Sequence, residues 1–196
     1  MATVETPKLT AENLLTMPDD GVERWLIRGE LREKYPEEAG ATLTVRNRYH
    51  CEAASFIATT LCNWLRTRPK PRGSVFTGEA GVRLRGADGT ALGVDVVYAP
   101  ADVVAVQDDD DTTMLSGVPT LCVEILSPND TFEQIDEKIT EYLSAGVPLV
   151  WVADPYRRTV TVHRPDAEPA LFNRTQAMPE HPAMPGFAPA VIDLFE

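Results

Sequence analysis

The sequence has no apolar run near the roughly 18 residues of a membrane-crossing helix, and positions 1–14 lack the basic start and apolar stretch of a secretory leader. These absences point away from a membrane protein and towards a cytoplasmic one. Cysteine is scarce: Cys51, Cys62 and Cys122 lack CxxC spacing and have three histidines to partner them. Neither a disulfide framework nor a structural zinc site fits that count, so the three are expected to be small buried apolar residues. Aromatic residues make up 7% of the chain, few for the open sugar cleft that glycoside hydrolysis by paired carboxylates requires. Basic residues thin out along the chain. Residues 1–98 balance 13 basic against 13 acidic side chains, and residues 99–196, with 5 basic and 17 acidic, carry the whole net charge of −12. Such a balance opposes indiscriminate adhesion to nucleic acid while leaving room for a locally basic face.

With 196 residues and 43% apolar content, the chain is long enough for one domain with a substantial core. Thr10 caps a short helix over 11–17, and Gly29 joins two short strands over 22–28 and 30–34. Asn47 caps a long helix to position 66, whose apolar stripe is Ala54, Ile57, Ala58, Leu61, Trp64 and Leu65. Strands are expected over 74–84, 94–99 and 120–126. A helix follows, opened by a capping box at Asp130 and Glu133, carrying Phe132, Ile135, Ile139, Tyr142 and Leu143 on one arc and ending at Gly146. A strand over 149–153 then makes the strand, helix, strand succession of a right-handed parallel crossover. The segment 159–163 alternates as an edge strand, and from Pro165 onward six prolines predict an irregular strap docked through Phe187, Val191, Ile192, Leu194 and Phe195. The expected architecture is α/β in an α+β sense: a mixed, partly parallel sheet flanked by helices, with a core over about 10–165 and a docked tail over 166–196.

Two carboxylates interrupt apolar strands: Asp95 within GVDVVY and Glu124 within LCVEIL. A buried unpaired carboxylate costs several kcal/mol or shifts its pKa far upward, so each needs a facing cation or hydrogen-bond donors. Lys138 falls inside the apolar arc of its helix, where its ammonium either snorkels outward or points at a buried acid. Asp, Glu and Lys meeting beside a sheet can bind a divalent metal and position water for phosphodiester hydrolysis. A structural Glu124–Lys138 ion pair, with Asp95 capping a turn, accounts for the same residues. Ser116 and Ser127 have no evident histidine partner, and GEAG at 78–81 lacks the Lys-Ser/Thr of a phosphate loop. The four aspartates at 108–111 read as a solvated loop.

The order of these features resembles the Uma-type family, a domain of unknown function classed with restriction endonucleases in the PD-(D/E)XK nuclease superfamily. The matching stretches are LIRGEL at 26–31, His50 opening the long helix, VDVV at 94–97, VEILSP at 123–128, Glu137-Lys138 with Tyr142, GVP at 146–148 and VWVADP at 150–155. The resemblance implies a restriction-endonuclease-like core and a site in which Asp95, Glu124 and the Ile125 carbonyl hold Mg²⁺ or Mn²⁺, with Lys138 as the activating lysine. Val94 stands where the superfamily has proline, and Leu126 where it has lysine. Lys138 substitutes only if its helix lies over the strand face that Glu124 and Leu126 share. Glu30 and His50 also match family positions. Glu30 is either a surface residue after the turn or an acid near the metal; His50 is either solvated or a phosphate contact or proton shuttle, and Glu52 is a further supporting acid. Arg46, Arg48, Arg66, Arg68, Lys70 and Arg72 are candidates for contact with a nucleic-acid backbone, although the run 66–72 also reads as a solvated, proline-stiffened loop. The implied protein is a metal-dependent endonuclease acting on nucleic acid, DNA above all, as a homodimer. Its rival is a nuclease fold that has lost catalysis and serves as a binding or assembly module.

Overall fold

The computed structural model describes residues 8–34, 47–84, 89–107 and 113–196. Thr10 and Asn13 form a capping box on helix α1 (Ala11–Leu15). Strands β1 (Glu23–Ile27) and β2 (Glu30–Lys34) form a hairpin, with Arg28 and Gly29 in the turn at φ of 52° and 80°. Positive φ at both positions is what a two-residue type I′ turn demands. Asn47 accepts the Tyr49 and His50 amides at the start of helix α2 (Arg48–Arg66). Strands β3 (Ser74–Leu84) and β4 (Ala91–Ala99) pair antiparallel, and a short helix α3 (Ala101–Val104) leads to strand β5 (Leu115–Gly117). Strand β6 (Leu121–Ile125), helix α4 (Phe132–Ser144) and strand β7 (Leu149–Asp154) form the expected parallel crossover. Strands β8 (Thr159–Arg164) and β9 (Ala167–Asn173) follow, each antiparallel to the one before it. The sheet is mixed and mostly antiparallel, ordered β2-β1-β4-β6-β7-β8-β9, with β3 paired to β4 and β5 paired to β3; the parallel pairs are β6–β7 and β3–β5.

Several expectations need correction. The box on α4 is made by Thr131 and Gln134; Asp130 instead accepts the Ser127 amide and pairs with Lys34. The proline-rich segment is not an irregular strap throughout, since β9 pairs with β8, which is therefore internal. Pro169 is tolerated because β9 is the sheet edge, where a missing N–H breaks no ladder. The remainder docks as expected: Phe187, Val191, Leu194 and Phe195 are buried, the last three in or beside a 3-10 turn (Val191–Leu194). Of the cysteines only Cys122 is buried; Cys62 is half-buried and Cys51 exposed. The aspartates at 108–111 and Arg46 lie outside the described residues. Among the described residues no helix is long and apolar enough to cross a membrane.

Two apolar layers hold the sheet. On one face Ala53, Ile57, Leu61 and Trp64 of α2, with the C-terminal tail, cover Val96, Val123, Ile125 and Trp151. On the other, Ile139 and Tyr142 of α4 meet Val94, Val97, Cys122, Val150 and the hairpin residues Trp25 and Ile27. Fully burying a side chain such as Ile57 or Leu61 contributes about 1.5–3 kcal/mol.

Between these layers the sheet is incomplete. Along one edge of β4, β6 pairs with Val96, Val97 and Tyr98, and β1 pairs with Ala91. Among the described residues no strand ladder continues along that edge over the intervening stretch 92–95, which leaves an opening between the ends of β1 and β6.

Candidate active site

Asp95 borders this opening, and its carboxylate takes up the hydrogen bonding that a strand would supply. Oδ2 accepts the Ile125 amide at 2.7 Å, and Oδ1 lies 3.1 Å from Nε2 of His50, which α2 brings in from its side of the sheet. From the other side α4 brings Lys138. Its Nζ is 2.9 Å from Oε2 of Glu124 and 3.4 Å from the Gly93 carbonyl. Tyr142, one turn further on, donates its hydroxyl to Oε1 of Glu124 at 2.5 Å. Residues four apart on a helix share a face, which is why both reach the same carboxylate. All five of these side chains are buried.

The charge states follow from this packing. Burial pushes the Glu124 carboxyl up to about 7, against the Lys138 charge, with the nearby Asp95 charge reinforcing the rise. Burial would raise Asp95 as well, but the His50 hydrogen bond and charge, the Ile125 amide and Lys138 together hold it below its ordinary value. For Lys138, burial opposes the charge, yet Glu124 and Glu23 hold its pKa above the usual lysine range. Burial and the Glu124 charge keep the Tyr142 hydroxyl protonated. The two acids thus have pKa values pushed apart within one cluster, a pattern frequent at functional sites.

Helix α4 does lie over the strand face of Glu124, so Lys138 reaches the acid that a lysine at 126 would have adjoined. Leu126 itself packs at the margin of the apolar layer that also takes Ile135. The β1–β2 hairpin braces the helix: Arg32 makes a forked ion pair with Glu137, next to Lys138, and Lys34 pairs with Asp130. Glu30 is exposed and pairs with Arg32, so it joins this brace rather than the acid cluster. Glu52 is exposed on α2. Arg48 begins the same helix turn as His50, with its guanidinium 4.4 Å over the Tyr49 ring. Arg66, Arg68, Lys70 and Arg72 are not brought there: His50 and Arg66 are separated by 16 positions of one helix, roughly 24 Å. Arg68 instead donates to the Pro185 carbonyl and lies over Trp64, fastening the tail.

Three contributors escaped sequence reasoning. Tyr142 had a usable signal, its i+4 relation to Lys138. Glu79 did not: it stands on a β3 bulge, where the register to β4 jumps between Thr77 and Ala80, opposite Asp95. Gly78 and Glu79 have φ of 86° and 59° there, the left-handed backbone of a bulge that re-aims a side chain. Glu23, at the open end of β1, completes the wall. A cavity of about 20 Å³, room for one water or ion, lies among Glu23, His50, Glu79, Asp95, Glu124 and Lys138. A cleft of about 380 Å³ adjoins it, sharing Glu23, Glu79, Gly93 and Lys138.

Against this geometry, residues 12–194 match the sequence profile of Uma2, described as "Putative restriction endonuclease". The chain belongs to the Uma2 family. The Uma2 chain is also similar to a solved structure from Anabaena variabilis ATCC 29413, titled a "putative nuclease belonging to DUF820", with a TM-score of 0.73 over 95% of this chain and 97% of that one. Sequence identity between them is 19%, so this likeness shows a shared nuclease-like fold. No curated protein matches the sequence.

The donor set suits a hard divalent cation. Two carboxylates and a neighbouring main-chain carbonyl are oxygen ligands, and Mg²⁺ commonly takes one or two carboxylates while keeping several waters. Among the described residues no three His, Cys, Asp or Glu side chains group as metal ligands, which a water-rich magnesium site does not require.

Proposed function

We propose that this Uma2 protein, a single restriction-endonuclease-like domain, is a metal-dependent endonuclease that hydrolyses phosphodiester bonds in nucleic acid, with DNA as the leading substrate. The observation that carries the reading is the meeting of Asp95, Glu124 and Lys138 at an opening in the sheet. Asp95, Glu124 and the Ile125 carbonyl would hold Mg²⁺ or Mn²⁺. When bound, such an ion supplies Lewis acidity, stabilising charge on the phosphate oxygens and lowering the pKa of a coordinated water.

The protein's own groups do the remaining work. The Ile125 amide and His50 fix both oxygens of Asp95, so that carboxylate does not reorganise during turnover. Tyr142 fixes Glu124 in the same way. Lys138 presents its ammonium beside Glu124, where it orients the attacking water and offsets negative charge as phosphorus is attacked in line. Burial excludes bulk water and strengthens each of these interactions.

One observation favours a second reading. Both oxygens of Glu124 are already hydrogen-bonded, to Lys138 and Tyr142, as suits a structural pair inside a nuclease fold retained as a binding or assembly module. Cleavage assays on DNA and RNA with Mg²⁺, comparing wild type with Glu124→Ala and Lys138→Ala, separate the two. Loss of cleavage in both variants supports the enzyme; activity intact in both removes the assigned site. A wild type that neither cleaves nor binds Mn²⁺ is the module.

A further inference from the structure

Beside the acid cluster lies a surface that the hydrolytic chemistry does not use. Tyr49 and Tyr156 are 39% and 51% exposed, and their rings meet with centroids 5.2 Å apart, tilted by 58°. They come from different parts of the chain: Tyr49 from the first turn of α2, Tyr156 from the turn between β7 and β8. Both are anchored. The Tyr49 amide is held by the Asn47 cap, and the Tyr156 and Arg157 amides both donate to Asp154 Oδ1 at 2.9 Å. Two guanidinium groups lie nearby: Arg48, over the Tyr49 ring and donating to its hydroxyl, and the exposed Arg157, next to Tyr156 in sequence and paired with Asp154.

This pair adjoins the site. Tyr49 precedes His50, which touches Asp95, and β7 runs parallel beside β6. The Leu126 amide donates to the Ala153 carbonyl at 2.9 Å, one residue ahead of the cavity residue Ser127, so the turn carrying Tyr156 begins level with the end of β6. The two rings therefore stand at the same end of β6 and β7 as the cavity residues Ile125 and Ser127.

We propose that Tyr49 and Tyr156 form a stacking platform for unpaired bases, so that the substrate class is single-stranded nucleic acid or a frayed duplex end. The proposal rests on the nuclease reading above and names its substrate. Base faces are open to an aromatic ring when bases are unpaired; in an intact duplex they are covered by their neighbours. Arg48 and the exposed Arg157 would supply positive charge for the phosphates flanking a stacked base. The chain's net charge of −12 works against the dense charge of a duplex more than against a single strand, whose charge density is lower.

The test is fluorescence anisotropy in EDTA, which stops turnover, with labelled oligothymidylate, oligouridylate and a blunt duplex as probes. Wild type should bind at least one single strand about tenfold more tightly than the duplex, and the thymidylate and uridylate arms distinguish DNA from RNA. Tyr49→Ala and Tyr156→Ala should each weaken strand binding roughly 5- to 100-fold, while Tyr156→Trp retains it. Leu171→Ala, at an exposed residue on the far edge strand, serves as the control and should bind as wild type. Equal binding of strand and duplex by wild type overturns the platform, as do folded Tyr→Ala variants that bind normally. Tyrosine-dependent strand binding without cleavage of any substrate upholds the platform and defeats the nuclease reading. Cleavage confined to blunt duplex and indifferent to both tyrosines does the reverse.

Discussion

Replacing Lys138 with methionine keeps a long apolar stem and deletes one charge, leaving Tyr142 as the side-chain donor to Glu124. In metal-free protein Glu124 titrates near 7 instead of the ordinary 4.5, because burial raises it further than Lys138 lowers it. Without Lys138 the carboxyl stays protonated well above neutrality. A group whose folded pKa is raised supports the fold fully below its unfolded pKa and loses that support as pH climbs, since the unfolded chain releases a proton that the folded one keeps. In wild type this loss runs from about 4.5 to about 7 and then levels off; in Lys138→Met it continues above 7. The variant should therefore carry a constant deficit of about 1–3 kcal/mol from the lost charged hydrogen bond. Above pH 7 its unfolding constant should rise a further tenfold per pH unit relative to wild type, adding roughly 3 kcal/mol by about pH 9. Urea unfolding followed by circular dichroism in EDTA, from about pH 6 to 9, measures both parts. The double variant Lys138→Met/Glu124→Gln should lose the steepening above pH 7. A deficit that stays flat across that range would refute the reasoning, because it would mean that Glu124 does not depend on Lys138 to hold its charge.

Calorimetric titration of Mn²⁺ should show binding in wild type that vanishes in Glu124→Ala, with affinity rising up to tenfold per pH unit below about 7 as Glu124 sheds its proton; pH-independent affinity would place the metal elsewhere. Tyr142→Phe leaves Glu124 Oε1 without its hydroxyl donor and should cost about 1–3 kcal/mol in urea unfolding. Leu61→Ala, at a fully buried residue of α2, should cost about 2–5 kcal/mol while leaving Mn²⁺ affinity in the folded protein unchanged.

Helices α1, α2 and α4 and most strands were legible from caps and regular apolar spacing, whereas the short α3 and β5 were not, and Asp95 and Glu124 stood out because a carboxylate in an apolar strand needs a compensating partner. Lys138 was legible for the same reason, as a charge inside an apolar arc. What could not be read was whatever depends on register. Glu79 reaches the cavity because β3 sets two residues, Gly78 and Glu79, opposite Asp95, and neither the bulge nor its partner leaves a pattern in a single strand. Glu23 looks like any residue at a strand start until β1 and β6 are placed on one edge of β4. Strand β9 was missed because Pro169 and its mostly exposed neighbours lack the alternation that burial imposes; as an edge strand it has little to bury. Arg66 to Arg72 formed a basic cluster in sequence, but the length of α2 carries it away from the acids.

The interruption in the sheet beside β4 also governs when the acid cluster can assemble. Its borders come from β1, β4 and β6, so they exist only after pairings such as Leu26 with Ala91 and Val96 with Val123 have formed. Contacts this distant along the chain are slow to assemble, because loop-closure entropy is lost before they contribute stability. A nascent chain released after α2 has His50 but neither strand acid, and one ending before α4 has both acids without Lys138. Assembly of the acid cluster thus reports that α2, β1, β4, β6 and α4 have come together, and a chain that lacks one of these elements carries some of the same residues without the arrangement.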